Sequence, residues 1–299
     1  MTLTRPGRTF GELATEEFAP VKQYLAPWLE DETITLLVGP KGSGKSWVAM
    51  GVAQALASGS RLGRWHTINK TKVLYVEAEM PSRIISARLN QLDVSADTQA
   101  LGGDITVLSC DDFKERCVPN LSDPDNHQFW ADMMFNYNVV IFDNLLNCAR
   151  RLSGKDDEEA MWKRVAGFLK PLRAKGKAFV IVHHTGKSGS QLGTSIKEND
   201  VDNIIILTPE QNRKTAGFGC DVRFDKARAL EYPDNAPFYL DYSPNEAGRY
   251  LWTESSQGER LRRKISELKF KGMSEREIAE FLGISFVVVK QSLRGGGND

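Results

Sequence analysis

Eight consecutive residues, Gly39-Pro40-Lys41-Gly42-Ser43-Gly44-Lys45-Ser46, constrain this chain more than any other stretch. They match the pattern G-x-x-x-x-G-K-[S/T], and the flanks are those that the pattern requires. The apolar run Thr33–Gly39 enters it as a strand, and Lys45–Ala57 leaves it as a helix opening on Ser46 and Trp47. Glycines let backbone N–H groups turn inward around phosphate oxygens, and a helix N-terminus adds partial positive charge. In such a turn Lys45 reaches the β- and γ-phosphates while the Ser46 hydroxyl ligates Mg²⁺. ATP and Mg²⁺ are the expected cofactors, with Gly39 through Trp47 as their binding segment.

Around this turn, short β-rich runs alternate with amphipathic stretches, the pattern of a mostly parallel sheet with crossover helices. Strands are expected at 71–77, 105–109, 138–143 and 177–183, with helices at 81–92, 126–135 and 156–175. From Val201 onward the rhythm changes: 204–207, 220–226 and 238–241 read as strands joined by short turns, an antiparallel extension. The fold class expected is α/β, with a twisted, mostly parallel sheet flanked by helices. Residues 1–256 form this core, of which 1–20 are an N-terminal arm.

The run Val139-Val140-Ile141-Phe142-Asp143 is an apolar strand ending in a carboxylate. Downstream of a phosphate-binding turn, such an aspartate holds the magnesium. Asn144 follows it, so no second acid stands there to activate water. The acid must come from elsewhere, and the strand 73–77 supplies two, Glu77 and Glu79, ahead of Pro81. Strand alternation puts both on one face, so spacing does not separate them. A further strand, Lys177 to His183, ends in His183-His184-Thr185-Gly186-Lys187. A histidine there can hydrogen-bond phosphate and stay near neutral at cellular pH.

Taken in order, "GKSWVAMGVAQALASG", "VLYVEAEMPSRIISARLNQL", "VVIFDN" and "VIVHHTGK" resemble the RepA-type hexameric replicative helicases of plasmids and phages. These belong to the wider RecA/DnaB-like group, and the resemblance spans roughly 13–243. It implies a RecA-like P-loop core, ATP hydrolysis, a homo-oligomeric ring, hexameric as in that family, and movement on single-stranded DNA. It implies that Glu79 activates water, since Glu77 falls where the family usually has a small residue. It places a γ-phosphate sensor at the histidine pair, His184 being the expected member. Lys226 and Arg228, in Val222-Arg223-Phe224-Asp225-Lys226-Ala227-Arg228, resemble the family's Lys-x-Arg pair that completes a neighbour's site. The chain departs from some members in carrying Ile205 where they have an arginine. Two loops, 144–157 with Arg150, Arg151 and Lys155, and 186–200 with Lys187 and Lys197, correspond to loops that line the channel and grip phosphates.

The last segment differs in kind. Ser274 and Glu277 form a capping box, Gly283 permits a tight turn, and Ile278, Ala279, Leu282, Ile284 and Val289 are spaced to fill a three-helix core. Residues 257–294 resemble a helix-turn-helix domain, followed by a flexible tail at 295–299. Acidic and basic residues balance at 39 each over the whole chain. From Gly258 to Arg294, nine basic residues face five acidic ones, so positive charge concentrates at this end. No apolar run reaches the roughly 18 residues of a membrane span, so no membrane partner is expected. The start of the chain lacks an export signal, and its four cysteines show no metal spacing, so a cytoplasmic location with reduced thiols is expected. A replication initiator or primase is an expected partner. The same residues also fit two rival readings: a RecA-like recombinase or loader that does not unwind, and a regulatory DNA-binding ATPase.

Overall fold

A computed structural model describes residues 7–93, 104–153, 157–184, 199–211, 213 and 215–294. The chain begins with a one-turn helix α1 (Phe10–Thr15), then β1 (Gln23–Ala26), β2 (Leu29–Glu30) and β3 (Ile34–Gly39). Helix α2 (Lys45–Ser58) follows, then β4 (Arg61–Leu62), β5 (Trp65–Thr67), β6 (Val73–Glu77) and helix α3 (Ser82–Asp93). Next come β7 (Ile105–Ser109), α4 (His127–Met134), β8 (Val139–Asp143), the short α5 (Leu145–Cys148), α6 (Glu158–Arg173) and β9 (Ala178–His184). Four long strands, β10 (Asn203–Pro209), β11 (Phe218–Ala227), β12 (Phe238–Pro244) and β13 (Tyr250–Ser256), precede three C-terminal helices at Gln257–Phe270, Glu275–Leu282 and Phe286–Arg294.

The central sheet has nine strands in the order β13-β12-β11-β10-β3-β9-β8-β6-β7. Its six strands from β10 to β7 are mutually parallel, and β11, β12 and β13 add on antiparallel. The antiparallel extension therefore starts one strand later than the sequence pattern indicated. The strand at 203–209 pairs parallel with β3, Ile206 opposite Val38, and closes the parallel block instead of opening the extension. A parallel strand buried on both faces and a short antiparallel one have the same apolar look, so periodicity could not separate them.

Alternation along the strands divides the core into two layers. Leu37, Val73, Tyr75, Ile141, Val180 and Ile205 face α2, whereas Leu36, Val38, Val76, Phe142, Ile181 and Ile204 face α4, α5 and α6. Helix α2 is buried on nearly every side, from Val48 to Ala57. Its outer face is covered by a second sheet, order β2-β1-β5-β4, which contributes Tyr24, Leu25, Trp28, Leu62 and Trp65. That sheet was not legible beforehand, because strands of two to four residues give no periodic signal. An all-round apolar helix needs such a cover.

The C-terminal helices have their own small core of Ile265, Leu268, Ile278, Ala279 and Val289. Ser274 caps the second helix in a reciprocal box with Glu277, and Gly283 ends it in the left-handed region at φ 64°. The first helix follows β13 directly and is fastened to the sheet. Arg260 donates to Asp221 at 3.0 and 3.1 Å and to Glu210 at 2.9 Å, and its guanidinium lies 3.9 Å from the Tyr239 ring centre. The four cysteines are free thiols, Cys148 and Cys220 buried. Among the described residues, no helix is long and apolar enough to cross a membrane. Residues 186–198 of the expected loop 186–200, with Lys187 and Lys197, lie outside the described residues, as do Lys155 and the tail 295–299.

Candidate functional site

Four adjacent parallel strands end at one edge of the sheet, β3 and β9 running two residues beyond β8 and β6. Glu77 stands opposite Asp143, and Gly39 stands opposite His184. The loop Pro40–Gly44 leaves this edge and turns into α2. Gly42 and Gly44 have φ of 80° and 83°, which side-chain-bearing residues rarely adopt. Two close approaches also exclude a side chain. A Cβ on Gly39 would lie 2.5 Å from the Leu207 carbonyl oxygen, and one on Gly44 would lie 2.5 Å from the Phe218 ring. Ser43 is buried, whereas Pro40, Lys41 and Gly42 face outward.

Lys45 is buried, and its Nζ donates to the carbonyls of Gly39 at 2.9 Å and Pro40 at 2.7 Å. Burial pushes its pKa down to about 8, against the opposing pull of Asp143 and Glu79. Asp143 is buried at the end of β8. Burial raises its pKa, and hydrogen bonds from Tyr75 and Ser46 oppose that rise. The Tyr75 hydroxyl donates to Asp143 Oδ2 at 2.7 Å. A serine hydroxyl beside a buried carboxylate is a set of hard oxygen donors, which suits Mg²⁺ shared with phosphate oxygens. Among the described residues, no cluster of three or more His, Cys, Asp or Glu could hold a metal by itself.

The two acids after Val76 part company here. Glu77 is buried, and its Oε1 accepts from the backbone amides of Glu79 at 2.8 Å and Met80 at 2.9 Å. Burial raises Glu77 to about 8, with the charge of Asp143 adding to it. It shapes the turn that launches α3. Glu79 emerges from that turn with 58% of its side chain exposed and accepts from Asn144 Nδ2 at 2.6 Å.

His184 is the histidine that faces this group. Its Nε2 lies 3.3 Å from Asn144 Nδ2 and 3.8 Å from Glu79 Oε2. Burial, then the charge of Lys45, lowers its pKa, which keeps the ring neutral at cellular pH. With the Asn144 amide as donor, Nε2 accepts and the neutral ring carries its proton on Nδ1. His183 points to the other face, buried, with Nε2 3.7 Å from Glu158.

Trp47 stands beside the loop rather than inside it. Its ring packs against Tyr242 at 5.3 Å and Phe218 at 6.4 Å between centres, and the Arg88 guanidinium lies 5.1 Å away. Lys226 and Arg228 do not join this edge. Lys226 pairs with Ile204, and Arg228 donates to Asp202 Oδ1 at 3.4 Å and to the Asn199 carbonyl at 3.1 Å, level with the start of β3. Strand rise puts that some 16 Å from Gly39. Arg150 is also committed elsewhere: its guanidinium donates to the carbonyls of Asn147 and Val118, which pins the segment after α5. Of that segment's cations, Arg151 is exposed.

The residues that the sequence left unmarked are Asn144, Tyr75 and Phe218. Asn144 stood out only as a missing second acid. Tyr75 was detectable as a phenol on the same strand face as Glu77, but its partner lies 68 residues away.

The sequence profile of the AAA domain matches residues 2–190, more than half of the chain. The chain belongs to the AAA domain family. The matched span contains the phosphate-binding loop, Glu79, Asp143, Asn144 and His184, and ends before β10. Among solved structures, a KaiC-like protein from Pyrococcus horikoshii OT3 superposes with a TM-score of 0.53 at 14% identity, over 78% of this chain and 94% of that one. The flagellar accessory protein FlaH from Methanocaldococcus jannaschii gives 0.48 at 12% identity, over 74% and 89%. At such identity the first likeness is one of fold, the RecA-like P-loop fold. No curated protein sequence matches this AAA-domain chain.

Proposed function

We propose that this chain is an ATP hydrolase that works as a homo-oligomeric ring, translocating on single-stranded DNA as a RepA-like replicative helicase. The observation that carries the enzymatic part is the convergence of Lys45, Asp143, Glu79 and His184 at the ends of adjacent parallel strands. The loop amides and Lys45 bind the β- and γ-phosphates, and Ser46 with Asp143 holds Mg²⁺, which supplies charge neutralisation when bound. Glu79, exposed and ionisable, takes the proton of the attacking water. His184, neutral and next to this group, registers the loss of the γ-phosphate.

Lys226 and Arg228 sit too far from their own loop to act there, so any role in hydrolysis is toward a neighbouring copy's nucleotide. Arg228 would have to leave Asp202 to serve it. The cation-rich C-terminal helices supply an electrostatic footing for nucleic acid. Nothing in this reading requires a membrane, and a replication initiator or primase would load the ring.

Strand separation on a forked duplex decides the matter. ATP-dependent unwinding by the assembled protein is expected, and its absence defeats the helicase reading. Filaments on single strands instead of closed rings would favour a recombinase or loader.

A further inference from the structure

Asn144 is buried at the junction of β8 and α5, and each of its side-chain atoms has a defined duty. Its Oδ1 accepts from the Asn147 amide at 3.2 Å and caps α5. That bond requires an oxygen, so it settles which way the amide is turned. The nitrogen is thereby aimed at the other side, 2.6 Å from Glu79 Oε2 and 3.3 Å from His184 Nε2. Glu79 needs such a partner. It lies in the turn between β6 and α3, outside either element, with most of its side chain in solvent. A long acid so placed samples many rotamers unless something holds it.

We propose that Asn144 is a positioning residue that ties the Glu79 carboxylate and the His184 ring into one hydrogen-bonded unit, so that the acid is set only when the histidine is. The proposal rests on the reading of Glu79 as proton acceptor. A phosphate that engages His184 thereby acts on Glu79 through a single amide. The same residue begins α5, whose Asn147 carbonyl holds Arg150. The state of the acid is thus connected to the segment leading to exposed Arg151.

Serine and aspartate cap helices as well as asparagine does. Asn144→Ser and Asn144→Asp therefore keep the cap and remove the amide NH₂, whose two protons serve Glu79 and His184 together; the shorter serine has one proton and the aspartate none. In the full chain, both variants are expected to lose between about 10- and 100-fold in kcat for ATP. KM, affinity for a non-hydrolysable ATP analogue and melting temperature stay within about threefold or a few degrees of the parent. A crystal structure of Asn144→Ser is expected to show Glu79 turned away from His184. In a Glu79→Gln background, Asn144→Ser costs no further turnover, because it acts through the group already removed.

Parental kcat in both cap-preserving variants, beside an inactive Glu79→Gln, overturns the role given to Asn144 and leaves the hydrolase reading intact. Full turnover in Glu79→Gln removes the proton acceptor itself, and the proposal falls with it. Loss of analogue binding in the Asn144 variants assigns the residue to nucleotide binding instead and likewise overturns the proposal.

Discussion

At the edge where β3 ends, Asp143 and Glu77 are buried side by side, and burial raises both pKa values. At the edge where β3 begins, Asp202 accepts from the Ile34 amide at 2.9 Å, Arg173 at 3.2 Å and Arg228 at 3.4 Å. The same sheet thus carries carboxylates crowded together at one end and a carboxylate matched with two guanidinium groups at the other. Glu77 Oε2 and His184 Nδ1 are buried with no hydrogen-bond partner among the described residues, and both lie at the crowded end. Crowded acids cost stability, and the site proposed for ATP and Mg²⁺ would retain that cost until they arrive. Matched charges hold a fold together and do little else.

This contrast can be broken by substitution, and the largest expected effect is at the crowded end. Glu79→Gln is expected to cut ATP turnover by about 100-fold or more while nucleotide affinity stays near the parent's. Filter binding and phosphate release measured on one preparation check this, and turnover near the parent's would move the proton acceptor elsewhere. At the matched end the expected loss is of stability, not activity. Asp202→Ala removes the acceptor for one amide and two guanidinium groups, and about 2 kcal/mol of unfolding free energy is expected to go with it. Arg173 and Arg228 are partly exposed and recover hydration, which limits the loss. Urea denaturation reads it, and an unchanged midpoint would show that this edge contributes nothing.

The pH dependence offers a sharper test of the crowded end. Lys45 in the free protein has a pKa lowered to about 8, and its charged form is the one that attracts phosphates. Binding is therefore complete below pH 8 and lost above it. On the alkaline side, kcat/KM is expected to fall about tenfold per pH unit from near pH 8, while kcat, which reports the bound complex, stays flatter. A profile level to pH 10 would contradict the burial assigned to Lys45.

The smallest effect concerns Glu77. Its folded pKa lies above its unfolded value, so the folded form keeps a proton that the unfolded chain releases. That stability is present at low pH and declines as pH rises from about 4.5 through 8. Glu77→Gln keeps an oxygen for the Glu79 and Met80 amides and carries no charge. Its stability relative to the parent is expected to rise across that window in pH-dependent thermal melts. A constant difference between the two proteins would show that Glu77 does not titrate with folding.

Sequence alone determined the phosphate-binding loop, the parallel core strands and the acid at the end of β8. Each is a local pattern: glycine conformations, apolar runs and a carboxylate at a strand terminus are read within about ten residues. Alternation could not divide Glu77 from Glu79, which only the family resemblance separated, because it treats them alike until a turn consumes one carboxylate with its own amides. Nor could the sequence show that β10 runs parallel, that a four-stranded sheet covers α2, that Arg150 is spent on carbonyls, or that Asn144 joins Glu79 to His184. Those facts depend on contacts between segments tens of residues apart, Asn144 and Glu79 being 65 apart, and only packing brings such pairs together. Chemistry needs groups of particular types, which a sequence displays, in particular places, which only the tertiary structure supplies.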